Sequence, residues 1–324
     1  MEQNNQVIIV KSPVRISLFG GSTDYKGFYE KYGSFLIGTP IDKYSYISMR
    51  YRPEILSRQY LCMYSKYELV NDIKKFKNPL IRETLLYHNI NKPLELISFS
   101  DIPSRTGLGG SSAYCVALSY LIKKIKEEKI NSKEIINAAI KIEREILKES
   151  GGIQDQIWPF AKGFSSIEIK KDGSYYIKPL PITEEFEQAL QNSMVLIYTE
   201  EQRNNDVIAK SHEDDINNKL QILETAKNAY KLFEQEDLKG IGELVYEGWL
   251  SKERISPYIS NGKIKTIIDD VINMGAYGAK LLGSGGCGFI CTICDPKVKE
   301  KIIEKYKESV LPFNIDKTGV TTIN

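Results

Sequence analysis

The sequence lacks the long hydrophobic run that an exported or membrane-anchored chain needs. Its first six residues are polar, and the apolar segment that follows, Val7–Val10, is far too short for a signal peptide or a membrane span. These features predict a cytoplasmic protein that does not associate with a membrane.

Blocks of like charge are also missing. The net charge is +2, and lysine and glutamate are interleaved along the chain instead of forming a basic tail or stripe. We therefore expect no binding to nucleic acid, and an anionic ligand must be held by a local group of residues. With 42% hydrophobic and 27% charged residues, the chain has the composition of a soluble globular protein.

The cysteines do not suggest a disulfide framework. Five is an odd number, and without an export signal it predicts free thiols in a reducing compartment. Cys287, Cys291 and Cys294 have the spacing C-x3-C-x2-C, which can hold an iron–sulfur cluster on a flexible loop. Here residues 289–294 read as a strand, in which residues three apart point to opposite faces. We interpret these cysteines as buried structural residues.

A length of 324 residues exceeds what one hydrophobic core usually serves and predicts two domains. The best linker candidate is Lys178-Pro-Leu-Pro181, so the expected domains span residues 1–180 and 181–324. Hydrophobic periodicity predicts strands at 7–19, 44–50, 93–100 and 194–199, helices at 112–128 and 132–150, helical segments between 206 and 272, and a strand–helix–strand ending from 280 to 322.

A glycine- and serine-rich segment between a predicted strand and a predicted helix is the strongest functional signal. Glycines let a backbone approach a ligand closely, and the amino end of a helix attracts phosphate oxygens. A hydroxyl there is also a suitable ligand for Mg2+. The candidate nucleotide-binding residues are Pro103, Gly107, Leu108, Gly109, Gly110, Ser111, Ser112 and Ala113.

This segment has three other possible interpretations. A Walker loop requires a lysine after the glycines, and none is present. A dinucleotide-binding fold requires an acidic residue at the end of a second strand, whereas Glu127 falls inside the helix. An ordinary glycine turn with a serine N-cap is the remaining alternative.

Two acidic residues further along have the chemistry of a catalytic site. Glu143 falls on the apolar face of its predicted helix, where a carboxylate is costly unless it binds a metal or pairs with a buried arginine. Asp155 follows the glycines that end this helix. A carboxylate there can accept a proton from a substrate hydroxyl, or it can simply cap a turn.

Two more segments complete the pattern. Arg15 lies in an otherwise apolar strand that ends in Gly20-Gly-Ser-Thr-Asp24, so it needs an anionic partner, and the polar strand end suits recognition of hydroxyl groups.

The second segment is glycine-rich. Gly283, Gly285 and Gly288 form G-x-G-x-x-G before a strand instead of before a helix. This position predicts that the loop forms a lid, with its backbone close to a ligand bound between two domains.

In this order and spacing the segments resemble the GHMP kinases over nearly the whole chain. The resemblance implies an α+β, two-domain GHMP kinase fold, with a ribosomal protein S5 domain 2-like amino-terminal domain and a ferredoxin-like carboxy-terminal domain. ATP and Mg2+ are the implied cofactors. Asp155 and Arg15 are then the catalytic residues, and Ser111 and Glu143 bind the metal, with Ser112 as the alternative to Ser111.

Within the family, Ile142-Glu-Arg-Glu145 and Gly151–Gln156 are similar to the kinases of D-glycero-D-manno-heptose 7-phosphate. This implies phosphorylation of an anomeric hydroxyl, which gives the 1,7-bisphosphate used in GDP-heptose synthesis. Ser22 stands where that subgroup usually has a glycine, so fucose- or uronic acid-type kinases, or a non-catalytic regulator, stay open. The implied substrate-binding residues are Gly20, Gly21, Ser22, Thr23, Asp24, Gln154, Arg203, Gly283, Gly285 and Gly286.

A substrate that already carries a phosphate requires a second anion site, for which Lys11, Arg105 and Arg203 are the candidates. The expected partner is a small-molecule sugar or sugar phosphate, and the expected assembly is a monomer or a homodimer.

Overall fold

The chain folds around two β-sheets with helices packed against them. A computed structural model describes residues 6–53, 55, 58–103, 105–199 and 215–323. With 43% helix and 25% strand it confirms the predicted α+β class. The strands are β1 (Ile8–Phe19), β2 (Ser34–Tyr51), β3 (Tyr60–Met63), β4 (Tyr67–Val70), β5 (Leu94–Ser100), β6 (Ser165–Ile169), β7 (Tyr175–Pro179), β8 (Met194–Tyr198), β9 (Gly278–Leu281), β10 (Phe289–Ile293), β11 (Val310–Leu311) and β12 (Thr321–Ile323).

The helices connect these strands and cover the sheets. They are α1 (Lys26–Tyr32), α2 (Pro79–Tyr87), α3 (Gly110–Ile125), α4 (Ser132–Ile140), α5 (Gln154–Ile157), α6 (Glu184–Ser193), α7 (Ile216–Glu234), α8 (Leu238–Glu253), α9 (Gly262–Asn273) and α10 (Pro296–Tyr306). The helical region predicted between 206 and 272 corresponds to α7, α8 and α9, and its first residues lie outside the described part of the chain.

The first sheet has the order β12-β1-β2-β5-β3-β4, and β6 and β7 extend it from the first half of β2. Its pairs are antiparallel except for β3 with β5. Strand β1 lies inside this sheet, and α3 packs across β1 and β2. This packing brings the end of β1 and the amino end of α3 to the same place.

The second sheet has the order β11-β8-β10-β9 and is antiparallel throughout. Its central strands β8 and β10 are apolar on both faces. One face shares a hydrophobic cluster with the first sheet, in which Ile16 and Leu18 of β1 meet Leu196 and Phe289. Since the sheets share this cluster, the ends of β1 and β9 lie close to each other.

The cysteines are confirmed as free and buried. Cys291 belongs to the cluster shared by the two sheets, whereas Cys294 belongs to the cluster around Trp249 on the opposite face of the second sheet. Among the described residues, no group of three histidine, cysteine, aspartate or glutamate side chains is placed to hold a metal ion. Cys291 and Cys294 therefore pack on opposite faces of the second sheet, as the strand period predicted.

The helix predicted at 132–150 begins as expected but changes its geometry before it ends. The Asn131 side chain accepts hydrogen bonds from the backbone N–H groups of Lys133 and Glu134, which confirms the predicted N-cap. The α-helical spacing stops at Ile140, and residues Lys141–Ile146 form a π-helical turn. A π-turn rotates the side chains that follow it, and such turns are frequent at functional sites.

The predicted domain boundary at residues 180 and 181 falls between β7 and α6. The last strand, β12, pairs with β1 in the first sheet. A strand from the second predicted domain therefore belongs to the sheet that is built mainly from the first. The domain limits stay a prediction. No helix in the described residues is long and apolar enough to span a membrane.

Candidate active site

A cavity of about 440 Å³ is lined by elements of both sheets. Its walls include the end of β1 and the turn after it, the glycine-rich loop before α3, the π-turn, α5, helices α7 and α8, and β9 with the loop that follows. The four segments that the sequence singled out therefore meet at one place.

The central interaction in this cavity joins Arg15 and Asp155. The Arg15 guanidinium donates from Nε to Asp155 Oδ1 at 2.9 Å, and its Nη2 lies 2.7 Å from the same oxygen. The arginine side chain is 5% exposed and the aspartate side chain 24% exposed. The ion pair is thus buried on the arginine side, while the carboxylate is accessible to a ligand.

Arg15 also fixes the glycine-rich loop. Its Nη1 donates to the Gly107 carbonyl at 2.5 Å, and its backbone N–H donates to the Leu108 carbonyl at 3.0 Å. Gly109 is the N-cap residue of α3 and provides no side-chain cap. The first backbone N–H groups of this 16-residue helix are therefore available to phosphate oxygens.

Glu143 lies beside this helix end. It is buried, as its position on an apolar helix face predicted. It is 1% exposed and is surrounded by neutral donors. Ser111 Oγ donates to its Oε1 at 3.2 Å, and Gln156 Nε2 donates to its Oε2 at 2.6 Å. Burial raises the pKa of Glu143, and the nearby charge of Arg144 and these hydrogen bonds act in the opposite direction.

The two serines of the loop are placed differently. Ser111 is exposed and bonds directly to Glu143, whereas Ser112 is buried and accepts a hydrogen bond from Gln156 at 3.0 Å. Both are thus next to the buried carboxylate, and Ser111 is the one that also faces the opening of the cavity.

Asp24 is held rigidly at the other end of the cavity. It is buried, and its carboxylate accepts from the backbone N–H of Gln154 at 3.0 Å and from Gln154 Nε2 at 3.1 Å. Trp158 Nε1 in turn donates to Gln154 Oε1 at 3.2 Å. Burial raises the pKa of Asp24, and the Gln154 backbone donor opposes this rise.

The carboxy-terminal glycine loop packs against the glycine-rich loop before α3, backbone to backbone. Gly107 and Gly283 both have positive φ angles, 81° and 73°. A Cβ at Gly107 would lie 2.6 Å from the Leu282 carbonyl oxygen, and one at Gly283 would overlap Gly107 Cα. Glycine is required at both positions because neither backbone leaves space for a side chain.

Several predicted ligand residues do not line the cavity. Leu108 and Ala113 are buried in the shared hydrophobic cluster, and Pro103 lies before the loop, away from the cavity wall. Thr23 is buried, and its hydroxyl bonds to the Gly20 carbonyl and to Ser34 Oγ, both at 2.6 Å. These residues shape the turns that carry the lining residues Gly20, Gly21, Ser22, Gly109 and Gly110.

The carboxy-terminal glycine loop, predicted as a lid, lines the cavity only in part. Gly283 lines the cavity, but Gly285 packs on Ile259, and the Gly286 backbone bonds to Ile259 and to the Asn261 side chain. The loop is thus braced on one side by residues 259–261 and on the other by the glycine-rich loop. Both sides of the loop are therefore in contact with other parts of the chain, and its role as a lid stays a prediction.

The anion-site candidates from the sequence are scattered. Lys11 lies over the Tyr44 ring, 4.2 Å from its centroid, and does not line the cavity. Arg105 does line it. Arg203 lies outside the described residues.

Ser17, Lys252 and Lys280 line the cavity but were not among the predicted site residues. Ser17 lies two residues after Arg15, so the period of a strand places both on the same face. Lys280 is a single lysine in a short apolar strand, which is the same signal that identified Arg15. Lys252 follows the buried Trp249 by three residues, which is the spacing of one helix face.

Family models match two parts of the chain that contribute to this cavity. The model described as GHMP kinases N terminal domain covers residues 71–163, and the model described as GHMP kinases C terminal covers residues 229–310. The chain belongs to the GHMP kinases. GHMP kinases use ATP as the phosphate donor, which agrees with the open helix end at α3.

Relatives of this GHMP kinase include two proteins named for heptose phosphates. It is 28% identical to the D-glycero-alpha-D-manno-heptose 7-phosphate kinase of Campylobacter jejuni, over 97% of this chain and 98% of that protein. It is 28% identical to the mevalonate kinase of Methanocaldococcus jannaschii, over 75% and 77%. The solved structure of a D-glycero-D-manno-heptose 1-phosphate kinase from Bacteriodes thetaiotaomicron has the same fold, with a TM-score of 0.81, 21% identity and 98% and 99% coverage.

The contact between Gly107 and Gly283 gives a testable prediction. Gly283→Ala should lower the free energy of unfolding by at least about 2 kcal/mol, because the new methyl group meets backbone and the φ angle is positive. It should also weaken ATP binding, since the loop before α3 must move. Urea denaturation and ATP titration measure the two effects.

Gly262→Ala is the matched control for this variant. A Cβ at Gly262 meets nothing within 4 Å, so stability and ATP binding should be unchanged or slightly improved. A Gly283→Ala protein as stable as the Gly262→Ala protein would contradict the backbone contact.

Proposed function

We propose that this enzyme transfers the γ-phosphoryl group of ATP to the anomeric hydroxyl of D-glycero-D-manno-heptose 7-phosphate, which gives the 1,7-bisphosphate. The observation that carries the proposal is the Arg15–Asp155 pair, which lies between the open amino end of α3 and a polar recess lined by Ser17, Gly21 and Asp24. A phosphate donor and a hydroxylated acceptor can thus approach the same carboxylate from two sides.

Asp155 is proposed as the group that receives the acceptor proton. The acceptor oxygen attacks the γ-phosphorus, the bond from this phosphorus to the bridging oxygen of ADP breaks, and the hydroxyl proton passes to Asp155. Arg15 holds the carboxylate in place through Oδ1, which leaves Oδ2 for the hydroxyl. Its guanidinium also offsets charge that develops on the transferred oxygens.

The residues around Glu143 fit a magnesium ion. The carboxylate is buried without an ion pair to a described residue, and its neighbours are the hydroxyl and amide groups of Ser111, Ser112 and Gln156. Carboxylate and hydroxyl oxygens are the donors that Mg2+ prefers. We propose that Ser111 and Glu143 hold the ion, which would neutralise charge on the phosphates of ATP. Glu143 would keep the ion next to the helix end that binds these phosphates.

The identity of the acceptor is supported by two observations. The relative from Campylobacter jejuni that matches this chain over its full length is named for heptose 7-phosphate. The acceptor recess also presents carboxylate, hydroxyl and backbone groups from Asp24, Ser17 and Gly20, a mixture that suits several sugar hydroxyls.

A panel of acceptors tests this function directly. Heptose 7-phosphate, unphosphorylated heptose, fucose, glucuronic acid, galactose and mevalonate are each offered with MgATP. The position of the new phosphate is read by NMR. We expect the highest kcat/KM for heptose 7-phosphate, with the product phosphorylated at the anomeric carbon. A higher value for any other acceptor would overturn the substrate assignment.

Removing the proposed base should affect turnover much more than binding. Asp155→Asn is expected to lower kcat by roughly two to four orders of magnitude, because the amide cannot accept the acceptor proton. The KM for ATP should change little, since the loop contacts of Arg15 remain. Asp269→Asn on the exposed surface of α9 is the matched control. Near-normal turnover of Asp155→Asn would remove this residue from the mechanism.

The metal assignment predicts a specific order of effects. Glu143→Gln should raise the Mg2+ concentration that gives half-maximal rate by at least about tenfold, because a charged ligand is lost while the shape is kept. Ser111→Ala should produce a similar but smaller rise. Ser112→Ala should leave the Mg2+ requirement near normal, since Ser112 is buried whereas Ser111 is exposed. The opposite order for the two serines would assign the metal to Ser112.

A further inference from the structure

Two buried lysines in the cavity have no part in the proposed phosphoryl transfer. Lys252 reaches the cavity from α8 and Lys280 reaches it from β9, and the two residues are 6% and 8% exposed. Burying an ammonium group is costly unless a counter-charge or several acceptors compensate it. These two residues therefore require an explanation.

Among the described residues each ammonium group has one hydrogen-bond partner, and each partner is a backbone carbonyl. Lys252 Nζ donates to Gly283 O, and Lys280 Nζ donates to Leu18 O at 2.6 Å. Within the described residues neither lysine forms an ion pair. Because an ammonium group has three donors, two on each lysine are left for a ligand.

The charges around these lysines are unbalanced. Burial, together with the positive charges of Lys280 and Arg15, lowers the pKa of Lys252 to about 7, while Asp24 and Asp155 oppose the change. Burial lowers the pKa of Lys280 to about 8, with Arg15 acting in the same direction and Cys291 in the opposite one. Asp155 is already paired with Arg15, and the Asp24 carboxylate is bound by Gln154, so among the described residues neither lysine has a carboxylate in direct contact.

Ser17 provides an independent observation at the same place. Its hydroxyl lines the cavity, is buried, and has no hydrogen-bond partner among the described residues. Ser17 precedes Leu18, whose carbonyl accepts the bond from Lys280. An unpartnered buried hydroxyl in a cavity that two buried cations also line is the arrangement expected where phosphate oxygens bind.

We propose that Lys252, Lys280 and the Ser17 hydroxyl bind the phosphate group that the acceptor sugar already carries, and that they make the enzyme select phosphorylated over neutral sugars. This inference rests on the proposed function, since it assumes that the γ-phosphate of ATP lies at the helix end of α3. The lysines come from α8 and β9, whereas Ser111 and Glu143 come from α3 and the π-turn. The two anion sites are therefore built from different elements.

Steady-state kinetics with paired acceptors test this selectivity. Lys252→Met and Lys280→Met should each lower kcat/KM for heptose 7-phosphate by about 10- to 100-fold, as expected for loss of a charge-assisted hydrogen bond. For unphosphorylated heptose the change should stay below about threefold, and the KM for ATP should not move. Lys239→Met is the matched control, because Lys239 is an exposed lysine of the same helix.

Equal losses for the two acceptors, or a raised KM for ATP, would overturn the proposal. The first result would indicate a structural role, and the second would assign the lysines to the γ-phosphate. If the wild type phosphorylates no sugar, the proposed function fails, and binding of heptose 7-phosphate then tests the lysine site by itself.

Calorimetric titration with heptose 7-phosphate gives this second measurement. A bound phosphate raises the pKa of both lysines, so binding at pH 8 should take up about one proton. Since the charged lysines bind the anion, affinity should fall as the pH rises through 7 and 8, where the lysines of the free enzyme lose their protons. Comparison of two buffers with different ionisation enthalpies gives the proton count. The absence of uptake, or an unchanged uptake in Lys280→Met, would contradict the site.

Discussion

The buried guanidinium of Arg15 joins three parts of the chain that are far apart in sequence. It holds Asp155 through an ion pair and the glycine-rich loop through the Gly107 carbonyl, while its own position is set by strand β1. A buried charge of this kind is tolerated only when its donors are satisfied. The position of the proposed base and the position of the phosphate-binding loop therefore depend on the same side chain.

The contact between Gly107 and Gly283 extends this dependence to the other half of the cavity. Gly283 precedes the loop that meets Ile259 and Asn261, and its carbonyl accepts the hydrogen bond from Lys252. A shift of the donor loop must consequently change the surroundings of Lys252. The proposed donor and acceptor sites are linked through this backbone contact, which explains why both positions are glycine.

The sequence predicted the site well where a charged residue interrupts an apolar pattern. Arg15 and Glu143 were found in this way, and both are buried as expected. Lys280 follows the same rule but lies in a strand of only four residues, too short for the pattern to stand out. The π-turn that begins at Lys141 was not predicted, because the apolar residues in the sequence keep the spacing of an α-helix through this segment. The partner of Gly283 could not be predicted, since contacts between distant backbones leave no local pattern.

The acceptor side of the cavity also contains a residue in an unusual conformation. Ser22 is buried, lines the cavity and has a φ of 80°, a left-handed value that costs a non-glycine residue about 1–2 kcal/mol. A glycine would avoid this cost. Ser22 therefore adds a polar side chain to the cavity at a conformational cost, as Lys252 and Lys280 add theirs at the cost of burying a charge. The cavity thus combines costly polar side chains with a glycine-rich loop that offers mainly backbone groups.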